Sequence, residues 1–250
     1  MVELIWHAIE IFYRKFLRIV LFLNKSCANC IVYGEVGKLP LKTQIEKRLL
    51  TYWVRVSGSK DSKFSHTLFN LQLKLHQRSE IKFDWFTKIE SILNCCGQNS
   101  DLLDISDQDN FAKQIIKHEL YTTLVDLAIQ EWHAQLSVNS NCNIYSILKT
   151  NFHFENYLVH LNTFDRINMT KFRTSNNRLP ANRFSANNND KICNLCDNAD
   201  FGDEYHYLFI CNHFQTERDL YLSQYFRARP NTLKMQTLFE STNNKKPNKS

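Results

Sequence analysis

Apolar residues recur along this chain at steps of three and four, the spacing that lines one side of a helix with 3.6 residues per turn. In the first 23 residues the stripe is Val2, Ile5, Ile9, Phe12, Phe16, Ile19 and Leu23, with Glu3, His7, Glu10, Arg14 and Arg18 on another face. This predicts an amphipathic helix within residues 1–25. Its longest uncharged apolar run, Ile19-Val20-Leu21-Phe22-Leu23, falls short of the roughly 20 residues of a membrane span and the about 7 of a signal core. The stripe is therefore expected to pack on a larger core, or to dock on a partner or a membrane surface.

The same period continues downstream. Phe64, Leu68, Leu71 and Leu75, then Ile81, Trp85, Ile89 and Ile92, predict two helices, the second stopped by Gly97. Between Asp109 and Val138, the residues Ile116, Leu120, Leu124, Ala128, Trp132 and Leu136 recur every fourth position and predict a long central helix. Ile144 to Asn151, Glu155 to Arg173, and the stretch from Phe214 to Phe226 read as further helices, the last ended by Pro230. Two stretches break the pattern. Residues 26–62, with Gly34, Gly37, Pro40 and Gly58, read as a connection carrying one short helix around Gln44 to Arg55. Thr174 to Asp190 holds Pro180 and six asparagines, and reads as a long loop. From Ser241 the chain is rich in Asn and Lys and is expected to fray.

Composition narrows the fold class. Among 250 residues, 43% apolar, there are five glycines and four prolines, far below the roughly 7% and 5% of ordinary proteins. Many short strands would need more turn residues than that. The expectation is a mainly α protein, a helical bundle-like domain with a small C-terminal zinc-knuckle subdomain. Its segments are an N-terminal helix (1–25), a helical region (26–162), a basic loop with the knuckle (163–226), and a tail (227–250).

The knuckle rests on Cys193-x2-Cys196-x9-His206-x4-Cys211. Zinc accepts mixed sulfur and nitrogen donors without geometric preference, and four protein ligands close its tetrahedral shell, so such a site is structural. One tight turn presents the first two thiols, and the His-x4-Cys segment returns the second pair. His213 is an alternative fourth ligand, and a disulfide framework is an alternative use of eight cysteines. Against the framework, Cys95 and Cys96 are adjacent, Cys142 stands alone, and Cys27-x2-Cys30 has no second pair nearby. Free thiols favour a reducing cell interior.

Charge points to a partner. The 31 Lys and Arg against 25 Asp and Glu leave a formal +6. Between Thr163 and Lys191, six cations against two carboxylates leave +4, so most of the excess sits beside the knuckle. Lys171, Arg173, Arg178 and Arg183 are candidate phosphate contacts, with Phe172 and Phe184 as stacking candidates. The competing reading is a solvated loop whose arginines answer Asp203 and Glu204. No active site is visible. Lys117-His118-Glu119 lacks a second histidine, His153 and His160 have no further ligands nearby, and there is neither a Gly-rich phosphate loop nor an Asp-Asp pair.

These residues carry a family likeness. Lys171-Phe-Arg-Thr-Ser-Asn-Asn-Arg-Leu-Pro180, Cys193-Asn-Leu-Cys196, Gly202-Asp-Glu-Tyr-His-Tyr-Leu-Phe-Ile-Cys211 and Arg218 resemble the C-terminal region of LINE-like non-LTR retrotransposon reverse transcriptases. Upstream, Val32-Tyr-Gly-Glu-Val-Gly37, Pro40-Leu41 and Arg48 to Arg55 resemble the stretch that follows the polymerase in those proteins. The resemblance spans residues 25 to 240. It implies a helical segment and a knuckle that hold RNA or DNA, with the polymerase domain of a parent element as a further partner. By position it implies one zinc ion on Cys193, Cys196, His206 and Cys211. It implies no enzyme activity in this segment, because the polymerase and endonuclease parts lie elsewhere in that family. Ala181 to Asp190 departs from the family pattern, which carries Glu, Gly and Trp there.

Overall fold

The computed structural model describes residues 2–58, 64–105, 108–183 and 187–244. They are mainly helical, and among the described residues there is no strand, only an isolated antiparallel bridge from Ile192 to Phe201. In chain order the helices are α1 (Val2–Val20), α2 (Asn29–Val36), α3 (Leu41–Ser57), α4 (Phe64–Gln77), α5 (Asp84–Cys95), α6 (Asn110–Val138), α7 (Asn143–Leu148), α8 (Tyr157–His160), α9 (Thr163–Arg173), α10 (Gln215–Tyr221), α11 (Gln224–Arg227) and α12 (Thr232–Asn244). None is long and apolar enough to cross a membrane. The chain divides into two compact units, one of residues 39–131 and one of 1–38 with 132–250.

In the 39–131 unit the core gathers Leu50, Trp53, Phe69, Phe86, Ile89 and Leu93 with Leu120 and Leu124 of α6. The indole of Trp53 donates to Leu103 O (3.2 Å), so its one polar atom is satisfied. Helix α4 differs from expectation. It buries Phe69 and Leu73, flanked by His66 and His76, and leaves Phe64 and Leu71 in solvent. Two overlapping stripes run along this helix, and the aromatic one wins because Phe69 lies 5.9 Å from Trp85 and 5.6 Å from Phe86.

In the other unit the last turns of α6 behave as the four-residue period predicts, with Trp132 and Leu136 buried against Cys30, Cys142 and Tyr145. Helix α1 does not. It packs through Leu17, with Leu21 just past its end, on Val32, Tyr33 and Val36, whereas Phe12, Phe16 and Ile19 of its apolar stripe are 71%, 53% and 73% exposed.

The region 26–62 is corrected: it carries two helices rather than one. Every residue of α2 from Cys30 to Val36 is buried, so no amphipathic period marks it. Gly37 ends it at φ 55°, where a Cβ would stand 2.2 Å from Phe154 N. The stretch from Glu155 to Arg173 is two helices, because the Asn162 side chain accepts from Asp165 N (3.0 Å) and caps α9 afresh. The tail contains α12, whose Met235 and Phe239 are buried with Leu148 and Phe209. The expected fraying beyond residue 244 lies outside the described residues.

Helix α9 is held by a buried charge network. Arg173 Nη2 pairs with Glu35 Oε1 (3.2 Å) and Glu155 Oε1 (3.1 Å), while Lys149 pairs with Glu155 and donates to His153 O (2.5 Å). The Tyr157 hydroxyl donates to Glu35 and lies 2.9 Å from Thr170 Oγ1. Two cations face two carboxylates, and all four side chains are at most 2% exposed. Burial opposes the charge on Arg173, but Glu35 and Glu155 outweigh it and hold the guanidinium more firmly protonated than usual.

Candidate metal centre

The Cys/His segment is built from two backbone devices. First, Gly202 N donates to Lys191 O (2.9 Å) and Cys193 N to Asp200 O (2.9 Å), closing a hairpin whose turn carries Cys193 and Cys196. Inside that turn Leu195 N donates to Cys193 Sγ (3.4 Å), so a backbone N–H already favours the thiolate. Second, Asp203 Oδ1 accepts from His206 N (2.8 Å) and opens a helical turn over His206–Ile210. This turn is widened: Cys211 N donates to His206 O, five residues back (2.8 Å). A regular α-helix would set positions five apart about 140° around the axis. The wide turn brings His206 and Cys211 to the same side.

The four donor atoms lie within 4.8 Å of one another, so the cluster can hold a metal ion. Cys193 Sγ and Cys211 Sγ are 3.8 Å apart, and Cys196 Sγ is 3.4 Å from His206 Nε2. Two sulfurs about 2.3 Å from one ion at the tetrahedral angle stand about 3.8 Å apart, and a sulfur and an imidazole nitrogen about 3.5 Å apart. The observed separations fit. Cys193, His206 and Cys211 are buried and Cys196 is half-buried. The outward ring nitrogen, His206 Nδ1, is buried without a hydrogen bond and lies 3.6 Å from Asp200 Oδ2. A carboxylate in that position is the usual orienting partner of a metal-bound imidazole.

Burial works against ionisation of Cys193, but the Tyr207 hydroxyl, 3.5 Å from its sulfur, the Leu195 N–H and the neighbouring ligands prevail and bring it down to about 6. Burial pushes Cys211 up to about 11. A thiolate at one corner of the cluster at neutral pH is what a cation requires. His213, the alternative ligand, is exposed and outside the cluster. All eight cysteines are free. Cys30 and Cys142 come within 3.6 Å of each other across 112 residues, a proximity that spacing could not reveal.

The basic residues separate. Arg173, expected at a phosphate, is corrected: it is 1% exposed and committed to Glu35 and Glu155. The cause is helical geometry, since residues two apart in α9 point about 200° apart, so Lys171 and Arg173 face opposite ways. Lys171 is half-buried, and Arg178 and Arg183 are exposed. Phe172 stacks on Phe239 (5.7 Å, 15°) in the apolar cluster. Phe184 lies outside the described residues. His118 and His160 are exposed on different helices, and His153 precedes α8.

The loop after α9 is tied to the Cys/His segment. Glu204, fully buried, accepts through Oε1 from Asn177 Nδ2 (2.7 Å) and Asn182 Nδ2 (2.7 Å). Ala181 N donates to Gly202 O (3.2 Å), and a Cβ on Gly202 would meet Pro180 Cγ at 3.1 Å. Glu204 thus answers asparagines rather than arginines. No protein family, curated protein or solved structure matches this chain.

Proposed function

We propose that this chain is a nucleic-acid-binding, zinc-stabilised segment of the kind that follows the polymerase in LINE-like reverse transcriptases, without polymerase or nuclease chemistry of its own. The observation that carries the reading is the junction at Glu204 and Gly202. It fastens the loop bearing Arg178 and Arg183 to Gly202 and Glu204, four and two residues before His206, so order at the Cys/His cluster becomes order in the cationic loop. Three thiols and one imidazole at these separations suit zinc, and the ion's role is to close the knuckle. Lys171, Arg178 and Arg183 then meet RNA or DNA phosphates by counterion release. A polymerase domain of the parent element remains the natural neighbour.

The test is fluorescence anisotropy with labelled 20-nucleotide RNA and DNA over a salt series. Changing Lys171, Arg178 and Arg183 together to alanine should flatten the log–log salt slope by about 0.7 per lost single-strand contact. An unchanged slope and affinity in the triple variant would overturn the proposal.

A second reading has its own observation. The outward face of α1 shows Phe12, Phe16 and Ile19 to solvent, as a helical protein-interaction module would. Under that reading Phe12→Glu with Ile19→Glu abolishes a protein partner's binding and the cationic triple variant does not.

A further inference from the structure

Helix α9 ends in a way that builds a cavity. Ser175, at φ 53°, turns the chain back, with Ser175 N donating to Phe172 O (3.3 Å) and Asn176 N to Lys171 O (2.9 Å). This is the six-to-one and five-to-two pattern that closes helices, here with serine where glycine is usual. The reversal lays Asn176 to Leu179 across the α9 face that carries Asn168, Lys171 and Phe172. Arg173 and Thr170, on the opposite side, stay in the charge network. The cavity so formed measures about 410 Å3, within the roughly 300–1,000 Å3 of small-ligand clefts.

Its lining is cationic and amide-rich, with no carboxylate. Neither Lys171 nor Arg178 makes an ion pair among the described residues, and the side chains of Asn24, Asn168 and Asn176 make no hydrogen bond there. Asn176 Nδ2 is buried as well, a donor shut from water without an acceptor. Such a group is unfavourable until something accepts from it. Asn177 is different, because its amide is spent on Glu204 and Leu179 N. The exposed Arg178 sits outward and the Asn176 amide inward. A ligand that satisfies both ends carries an anion at one end and an edge of donors and acceptors at the other, on a flat body that tolerates Phe172 and Leu179.

We propose that this cavity takes one unpaired nucleotide of a bound RNA or DNA strand, its phosphate on Lys171 and Arg178 and its base edge on the amides of Asn24, Asn168 and Asn176. The proposal rests on the nucleic-acid reading above. Bases stacked and paired in a duplex cannot enter a recess of this kind, whereas an unstacked base can. Asparagine amides both donate and accept, so they meet any base edge without selecting one strongly.

The test compares labelled 15-nucleotide single strands of RNA and DNA with the matching duplexes and with AMP, on the full chain. The expected result is single-strand binding at least about tenfold tighter than duplex binding. Asn168→Leu, on the exposed side of α9, and Asn176→Leu should each erase much of that preference without changing the salt slope or duplex affinity. Circular dichroism and zinc content confirm that each variant is folded, and Asn168→Leu alone suffices if Asn176→Leu is not. Equal single-strand and duplex affinities, with the asparagine variants silent, overturn this inference while leaving nucleic-acid binding standing. AMP binding as tight as the strand overturns the strand as the source. Failure of every strand to bind overturns the underlying reading as well.

Discussion

Two buried polar centres hold the 1–38 and 132–250 unit together, and they are made in opposite ways. The Cys/His cluster draws four ligands from 19 residues, Cys193 to Cys211, by a hairpin and one widened helical turn. The charge network draws Glu35, Lys149, Glu155 and Arg173 from segments up to 138 residues apart, and nothing local positions them. The first needs only its own segment to bring the four donors together. The second exists only when α2, α7, α9 and the strand of chain before α8 have all arrived. Local chemistry is independent of the fold; distributed chemistry is a product of it.

With zinc in the Cys/His cluster as proposed, removing it should produce the largest effect, since structural zinc in small peptides is worth about 10–16 kcal/mol at neutral pH. Stripping it with a chelator, or Cys211→Ser, is expected to remove amide-exchange protection over residues 191–214 while residues 39–131 keep theirs. Protection that survives in protein shown to be metal-free would refute the metal centre.

Next in size is Arg173→Ala. It leaves two buried carboxylates with only Lys149 between them, and breaking buried pairs in this manner costs about 3–5 kcal/mol. Replacing Glu35 and Arg173 together by leucine should cost less than Arg173→Ala alone, because Lys149 and Glu155 remain a neutral pair. Denaturant midpoints decide the ordering, and a double variant worse than the single one would show that the network contributes more than charge balance.

Gly37→Ala comes third. A side chain at φ 55° costs about 1–3 kcal/mol, and the Cβ must displace Phe154 N, next to the bond from Glu155 N to Glu35 O (3.2 Å). The smallest effect on stability, within about 0.5 kcal/mol each, belongs to alanine at Arg178 and Arg183, which are exposed and unpaired. Thermal melts that moved as far for these as for Gly37→Ala would erase the distinction between the surface cations and the buried one.

Legibility followed the same division. That Cys193, Cys196, His206 and Cys211 cluster could be read from spacing because a hairpin and a helical turn have fixed reach. The α6 stripe could be read because its four-residue spacing runs through Leu120, Leu124, Trp132 and Leu136, drifting around the helix so that the first pair enters one core and the second pair another. Where two stripes overlapped, as on α1 and α4, periodicity found the helix and missed the buried face. Helix α2 escaped notice because burial on all sides leaves no polar face to set the period. The basic run around Arg173 marks it as a surface cation, whereas its direction depends on its standing two positions past Lys171 on α9.

What the amino-acid order determined by itself is the helical class and a four-ligand cluster, because both depend on interactions within a few turns of chain. Tertiary structure alone decided which cations reach solvent, which apolar stripes stay uncovered, and that Glu35 should find Arg173. Those outcomes turn on which face meets which neighbour, and a helix carries no record of that until its partners are in place.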